Sequence, residues 1–433
     1  MMKTLGLDIG TTTISAVVVE EKCVLAAVTL KNDSFLPAAE SWERVQDPSH
    51  IRTTAMCAVE ALLAQHPEVV GIGVTGQMHG ILYLDKNGCP VSPLYTWQDG
   101  RGDQSYHETM TYREYLETLT GYSLATGYGM VTHFYNIKNE LVPGNAAVFC
   151  TIQDYLAMIL AGKTAPVTEA SDGASFGLFR VKEGCFDADA IKKAGISEAI
   201  LPALAKEPCI GFYQDRIPVY VAIGDNQASF LGSAGGDVNS MLVNIGTGGQ
   251  FSVYTAAYMT CPGLETRPFP GGFLLVGASL CGGRAYALME KFFRDTVTAM
   301  TGDTPENCYG AMEKLLSQGK PEELPVLIPL FQGTRQEPEK RASICGLSTE
   351  NFSPQHLIWA MLEGMAGELY GMYLQYRRAG GKPAKLIGSG NGLRKNIYLQ
   401  QCVSEAFALP IEMSTFTEEA AAGAALFAAQ NRA

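Results

Sequence analysis

Two short stretches of this chain combine glycine, hydroxyl side chains and a polar residue at matched spacing. The first is Asp8-Ile9-Gly10-Thr11-Thr12-Thr13, and the second is Asn244-Ile245-Gly246-Thr247-Gly248-Gly249. Each follows one apolar β-type run and precedes another, so each reads as the turn of a hairpin. Such a turn exposes backbone N–H groups and hydroxyls to the oxygens of a polyphosphate, and glycine lets backbone approach a ligand closely. Asp8, beside the first turn, suits Mg2+ on those phosphates. Taken singly, either stretch is equally an ordinary hairpin, because turns favour Gly, Asp and Thr. Two of them in matching contexts, about 235 residues apart, favour a pair of phosphate-binding turns.

Other residues extend this chemistry. Asp225 closes the apolar run Pro218–Asp225, and the carboxyl end of a strand is where open α/β sheets place ligands. It could accept the proton of a hydroxyl attacking a γ-phosphate, or it could cap a helix over 227–232. Gln77-Met78-His79 and Trp97-Gln98-Asp99-Gly100-Arg101 mix donors, acceptors and a flat face, as a neutral, hydroxyl-rich ligand requires. Singly, such residues are more often structural. No other His or Cys has the spacing to join His79 in a metal site. Gly388-Ser389-Gly390-Asn391-Gly392 leads from a strand into a helix; it could border an adenine or ribose, or simply make the turn. Gly71-Ile-Gly-Val-Thr-Gly76 matches G-x-G-x-x-G, but its glycines lie within a strand rather than at a strand-to-helix turn. No G-x-x-x-x-G-K-[ST] occurs, which argues against a P-loop.

The elements that must carry these residues alternate. Residues 4–19 read as strand, turn, strand; 23–30 as a third strand; 51–64 as a helix ended by His66-Pro67; and 69–74 as a buried strand. The order β-β-β-α-β implies an α/β layer with a mixed sheet. The second half repeats the plan: strand-turn-strand over 240–254, a strand from 272, a helix over 356–373, a strand from 385, and a helix over about 396–407. This is the pattern of an old duplication, with a boundary near 234–239.

Length alone suggests about three domains at roughly 150 residues each, but the repeated hairpins argue for two. The chain has 433 residues, 32 Lys plus Arg against 44 Asp plus Glu, and a net charge of −12. That balance disfavours nucleic acid or an anionic membrane as main partner, yet allows a nucleotide held by backbone dipoles. The 11 cysteines are dispersed, odd in number and without C-x-x-C, which fits a reducing compartment. The N-terminal stretch lacks the apolar core of a signal peptide, and the longest apolar run, 420–429, is too short to span a bilayer. A soluble, cytoplasmic protein is expected. A homodimer is admitted as its assembly, although no residue pattern specifies one.

Taken together these residues resemble the FGGY carbohydrate kinases, a branch of the actin, Hsp70 and hexokinase superfamily, over essentially the whole chain. The resemblance is carried by Gly6–Thr13, Gly76-Gln-Met-His-Gly80, Gly224-Asp-Asn226, Asn244–Gly248, Ala278-Ser-Leu-Cys-Gly-Gly283 and Gly388–Asn391. It implies an α/β fold of two RNase H-like domains with an interdomain cleft. The N-terminal kinase domain, 1–235, would hold the sugar and the first phosphate loop. The C-terminal domain, 236–433, would hold the second loop and the adenosine site. It further implies ATP and Mg2+, with Asp8 and Asp225 at the metal and Gly10, Thr11 and Thr12 on the phosphates. Gly246, Thr247 and Gly248 would form the second phosphate loop, and Gly388, Ser389, Gly390 and Asn391 would border the adenosine. Asp225 would be the catalytic base, and Gln77, Met78, His79, Trp97, Asp99 and Asn226 would contact the sugar. The loop Gly388–Asn396 departs from the commoner Gly-Gly-Gly-Ala-x-Ser. Within the family, Gly76–Gly80 is shared with xylulokinases. Thr96–Arg101, Ala125–Gly129, Ile152–Tyr155, Gly224–Ser229, Ala278–Gly283 and Gly333–Pro338 look more like sedoheptulokinases. The implied activity is phosphorylation of a terminal hydroxyl of a ketose, sedoheptulose before xylulose. The rival outside the class is an Hsp70-like ATPase, which has no need of Gln77-Met78-His79.

Overall fold

A computed structural model describes residues 2–107, 109–334, 337–382 and 384–432; Arg335 and Gln336, in the stretch 333–338 singled out above, lie outside the described residues. The chain divides into two compact units. Unit 1 comprises Met1–Asp237, Arg267–Phe273 and Thr415–Ala433, and unit 2 comprises Val238–Thr266 and Leu274–Ser414.

Unit 1 is built on β1 (Lys3–Ile9), β2 (Thr13–Glu20), β3 (Cys23–Lys31), the short β4 (Val45–Gln46), α1 (Pro48–Gln65) and β5 (Val69–Gly76). It continues with β6 (Cys209–Tyr213), β7 (Ile217–Tyr220), β8 (Ile223–Gly224) and α2 (Asp225–Ser233). The sheet order is β6-β7-β5-β1-β2-β3, with β8 also on β5. The hairpin β1–β2 and the pair β2–β3 are antiparallel, while β5 lies parallel to β1. β1 and β2 are buried along nearly their whole length, as strands covered on both faces must be. Helix α1 starts three residues before the apolar period suggests, because the Asp47 carboxylate accepts from Ser49 N and Pro48 fits the first turn. The run expected as one strand to Asp225 is interrupted at Val221-Ala222, and both pieces pair with β5. A second aromatic core, with Tyr83, Phe134, Phe149 and Phe176, packs within residues 81–196.

The second half of the sequence repeats the hairpin-plus-parallel-strand plan. β9 (Ser240–Ile245), β10 (Gly249–Thr255), β11 (Glu265–Phe269) and β12 (Gly272–Ser279) are followed by α3 (Gly283–Thr301) and α4 (Pro354–Arg378). After them come β13 (Lys385–Ser389), α5 (Asn391–Arg394), α6 (Ile397–Phe407) and β14 (Ile411–Met413). The order is β11-β12-β10-β9-β13-β14, with β9 antiparallel to β10 and parallel to β13. Helix α6 begins after Asn396, whose side chain accepts from Tyr398 N and Leu399 N. Helix α4 buries Ile358, Trp359, Leu362, Met365 and Leu369 against this sheet's core.

The last helix, α7 (Glu419–Gln430), packs within unit 1 although it follows unit 2 in the sequence. A Cβ on Gly423 would collide with the Ala228 carbonyl of α2, and one on Gly6 with the Ala421 carbonyl. Part of the glycine content thus serves close helix-on-helix and helix-on-sheet contact rather than ligand turns. Among the described residues, no helix is long and apolar enough to cross a membrane.

Candidate active site

In unit 1 the first Gly-Thr turn joins β1 to β2 and is clasped by side chains from distant segments. Asn32 Nδ2 donates to the Gly10 carbonyl (2.8 Å) and Trp97 Nε1 to Thr11 Oγ1 (3.1 Å). The Thr11 hydroxyl in turn donates to Gln77 Oε1 (3.1 Å). Thr12 is exposed beside them. Asp8, the penultimate residue of β1, is pushed up to about 7, first by burial and then by the Asp225 and Glu418 carboxylates. Asp225 is pushed up to about 6 by burial, against the pull of the Asn226 backbone N–H and the Arg267 charge. Two carboxylates of like charge therefore share one region of unit 1.

Asp225 is the first residue of α2; Gly224 holds the cap position, with no side-chain capping bond. The capping role considered for Asp225 is thus not the one it plays. Its helix start is anchored by residues the sequence reading did not single out. Gly224 N donates to Ser171 Oγ (3.1 Å), and Ser171 Oγ donates to Glu169 Oε2 (2.5 Å). The neighbouring Asp172 is held well above the usual carboxylate range by burial and by the Asp154 charge. A Cβ on Gly224 would lie 2.6 Å from Met78 Cε, so Met78 packs directly on the residue before Asp225. Asn226 Oδ1 is buried without a hydrogen-bond partner.

His79 stands at φ +74°, with Nδ1 2.8 Å from the Ser175 carbonyl and its ring stacked on Tyr128 at 4.6 Å. A carbonyl only accepts, so the ring proton sits on Nδ1. Trp97 is 46% exposed. Asp99 departs from the expected sugar contact. It is fully buried, with Oδ1 taken by Arg101 Nε (2.6 Å) and Oδ2 by Arg101 Nη2 (3.2 Å) and Arg44 N (3.0 Å). Arg101 itself lies 4.0 Å over the Tyr95 ring. With no oxygen open to a ligand, Asp99 shapes the loop that carries Trp97.

Unit 2 holds a cavity of about 1030 Å³, lined among others by Gly246, Thr247, Arg284, Gly390 and Asn391 and by the Tyr286–Tyr309 pair. It reaches the upper end of the range for small-molecule sites. The second Gly-Thr turn is fixed by the start of α3: Gly283 N donates to Gly246 O (2.8 Å) and Arg284 N to Thr247 O (3.1 Å). Gly282 makes this approach feasible, since a Cβ there would overlap the Gly248 carbonyl and lie 2.7 Å from Gly249 N. Gly388 and Ser389 lie in β13, where Ser389 Oγ accepts from Asn244 Nδ2 (2.8 Å). Gly390 turns the chain at φ +86° into α5, which begins at Asn391. Of these residues, Gly390 and Asn391 reach the cavity, whereas Gly388 and Ser389 support it from the sheet. Tyr286 and Tyr309 gave no sequence signal beyond ordinary helical spacing.

Comparison with known proteins also divides the sequence in two, near residues 232–241. Residues 3–232 match the model of the FGGY family of carbohydrate kinases, N-terminal domain, and residues 241–431 that of its C-terminal domain. The chain is 30% identical to a sedoheptulokinase of Mus musculus and 28% identical to one of Homo sapiens, each over 98% of this chain and 96% of the relative. A xylulose kinase structure from Rhodospirillum rubrum superposes with a TM-score of 0.81 at 21% identity, over 99% of this chain and 89% of that one; this likeness concerns the fold. With both halves matched along nearly their full length, the chain belongs to the FGGY family of carbohydrate kinases and is a sugar kinase.

Proposed function

We propose that this kinase transfers the γ-phosphate of ATP to the terminal primary hydroxyl of sedoheptulose, giving sedoheptulose 7-phosphate. The observation that carries the choice of sugar is the likeness to two sedoheptulokinases over nearly the whole of each chain.

In this reading Asp225 accepts the proton of the attacking hydroxyl. A carboxyl raised to about 6 is ionised at neutral pH, yet is a stronger base than a solvated one. Asn226 Oδ1, buried without a partner, accepts from a sugar hydroxyl, and Gln77, Met78, His79 and Trp97 complete the sugar side. Backbone N–H groups of Gly10–Thr12 and of Gly246–Gly248 hold the phosphates, and Gly390 and Asn391 border the nucleoside, supported by Gly388 and Ser389. Among the described residues no group of three or more His, Cys, Asp or Glu is arranged for a metal. Mg2+ nevertheless needs only one or two carboxylates beside phosphates and water. The mutually repelling Asp8 and Asp225 fit that requirement and would hold it. When bound, the ion offsets charge on the transferring phosphate.

An ADP-release assay with sedoheptulose, xylulose, ribulose, fuculose, glycerol and no sugar tests the reading. Sedoheptulose is expected to give the highest kcat/KM, by about tenfold or more over a pentulose. A higher value for xylulose would reassign the substrate. ADP release indifferent to any sugar would replace the kinase reading with the ATPase one.

A further inference from the structure

Gln46 is fully buried on β4 beside the first Gly-Thr turn. Its amide closes a ring of hydrogen bonds. Trp97 Nε1 donates to Thr11 Oγ1 (3.1 Å), and Thr11 Oγ1 donates to Gln77 Oε1 (3.1 Å). Gln77 Nε2 donates to Gln46 Oε1 (2.8 Å), and Gln46 Nε2 donates back to the Thr11 carbonyl (2.9 Å). The direction of every bond is forced, because an indole N–H only donates and a backbone carbonyl only accepts. The Thr11 carbonyl must meet the Gln46 NH2 group. That turns Gln46 Oε1 towards the Gln77 NH2 group, and so Gln77 Oε1 towards the Thr11 hydroxyl. The hydroxyl proton of Thr11 is then committed to Gln77 and one of its lone pairs to Trp97. The side chain keeps no donor for a phosphate oxygen, so the grip of this turn falls to backbone N–H groups, whose aim depends on how Thr11 is held.

We infer that Gln46 is a positioning residue for phosphoryl transfer: the ring fixes the backbone of the first turn and ties it to Trp97. This role presupposes the phosphate-binding turn and the sugar-side Trp97 proposed above. Loss of the Gln46 amide leaves the buried Gln77 NH2 group and the half-buried Thr11 carbonyl without partners, and the turn relaxes away from its phosphate-binding geometry.

The test uses the full chain. Gln46→Met keeps the side-chain length and removes both amide partners, whereas Gln46→Glu keeps an acceptor for Gln77 and loses the donor to Thr11. Both are expected to raise the KM for ATP by about tenfold, the effect of one orphaned buried hydrogen-bonding group, and to move the KM for sugar less. A merely structural role would lower the melting temperature and the active fraction while leaving the KM for ATP in place, and that result in a folded variant overturns the inference. Should neither variant fold, Trp97→Phe removes the N–H that enters the ring from a half-exposed site. It is expected to weaken binding of a non-hydrolysable ATP analogue, measured by calorimetry without sugar, by about threefold; unchanged affinity overturns the inference. A wild-type chain that phosphorylates no sugar would refute the kinase reading instead, and the analogue-binding comparison of wild type with the Gln46 variants would still decide the role of Gln46.

Discussion

Replacing Gly282 with alanine tests how closely the second Gly-Thr turn, proposed to hold phosphate, is built. The added Cβ would overlap the Gly248 carbonyl and stand 2.7 Å from Gly249 N. Carbon settles at about 3.5–4.0 Å from a non-bonded heavy atom, so the start of α3 and the turn must separate by about 1 Å. The neighbours in the way are backbone atoms, which cannot swing aside as a side-chain tip can. Overpacking of this kind costs about 1–3 kcal/mol, or about 2–4 °C of melting temperature per kcal/mol for a domain of this size. The functional cost is larger: if the turn holds phosphate as proposed, a 1 Å misplacement lowers kcat/KM for ATP by about 10²-fold, equivalent to about 2.7 kcal/mol of transition-state stabilisation. Gly367→Ala is the control. Gly367 lies within α4, and nothing comes within 4 Å of the added Cβ, so alanine there should stabilise by about 1 kcal/mol without touching turnover. The assay is ATP-saturation kinetics beside a thermal melt. Wild-type kcat/KM for ATP in a folded Gly282→Ala protein would refute the geometric reasoning.

Asp225→Asn keeps the volume at the start of α2 and removes the proposed base; kcat should fall by about 10²–10⁴ with an unchanged circular dichroism spectrum, and near-normal turnover would remove Asp225 from the mechanism. His133 is lowered from 6.5 to about 4 by burial. The unfolded chain therefore takes up a proton below 6.5 that the fold refuses until about 4, and the stabilisation present above 6.5 is lost as the pH falls between those values. Between pH 7 and 5 this amounts to about 2 kcal/mol. Urea titrations of wild type and His133→Gln should differ in pH slope by that amount, and equal slopes would show that His133 is not held neutral. Gly423→Ala, whose Cβ would collide with the Ala228 carbonyl, should destabilise unit 1 by about 1–3 kcal/mol, read as an earlier thermal transition; an unshifted melt would show that α2 and α7 can part without strain.

Local signals made much of the scaffold legible. The two hairpins, the helix start at Asn396 and the apolar period of α4 follow from turn chemistry, capping and 3.6-residue spacing, and each is present within about 15 residues of sequence. The start of α1 was also legible in Asp47-Pro48, which a search for apolar period alone passes over. What stayed hidden depends on long-range meetings. Gln46 meets Gln77 across 31 residues, and Ser171 meets Gly224 across 53; neither pair leaves a periodic trace. Asp99 read as a ligand because loops with Trp, Asp and Arg often are, but the fold spends its carboxylate on buried Arg101. Helix α7 escaped because its alanines are buried all round, which erases the stripe by which a surface helix is recognised.

That helix has a consequence for how the protein is made. Strands β1 and β5 are complete within the first 76 residues, yet the groove over Gly6 is filled by Ala421 and Ala425. Domains fold largely as units during synthesis, amino-terminal part first. Here the leading unit must wait, with Val17 and Val19 uncovered by their partners Phe416 and Leu426, until unit 2 has been translated. Unit 2 is fully synthesised before the final closing segment of unit 1 leaves the ribosome. A chain broken off before residue 415 would carry unit 2 but leave Val17 and Val19 of unit 1 without Phe416 and Leu426.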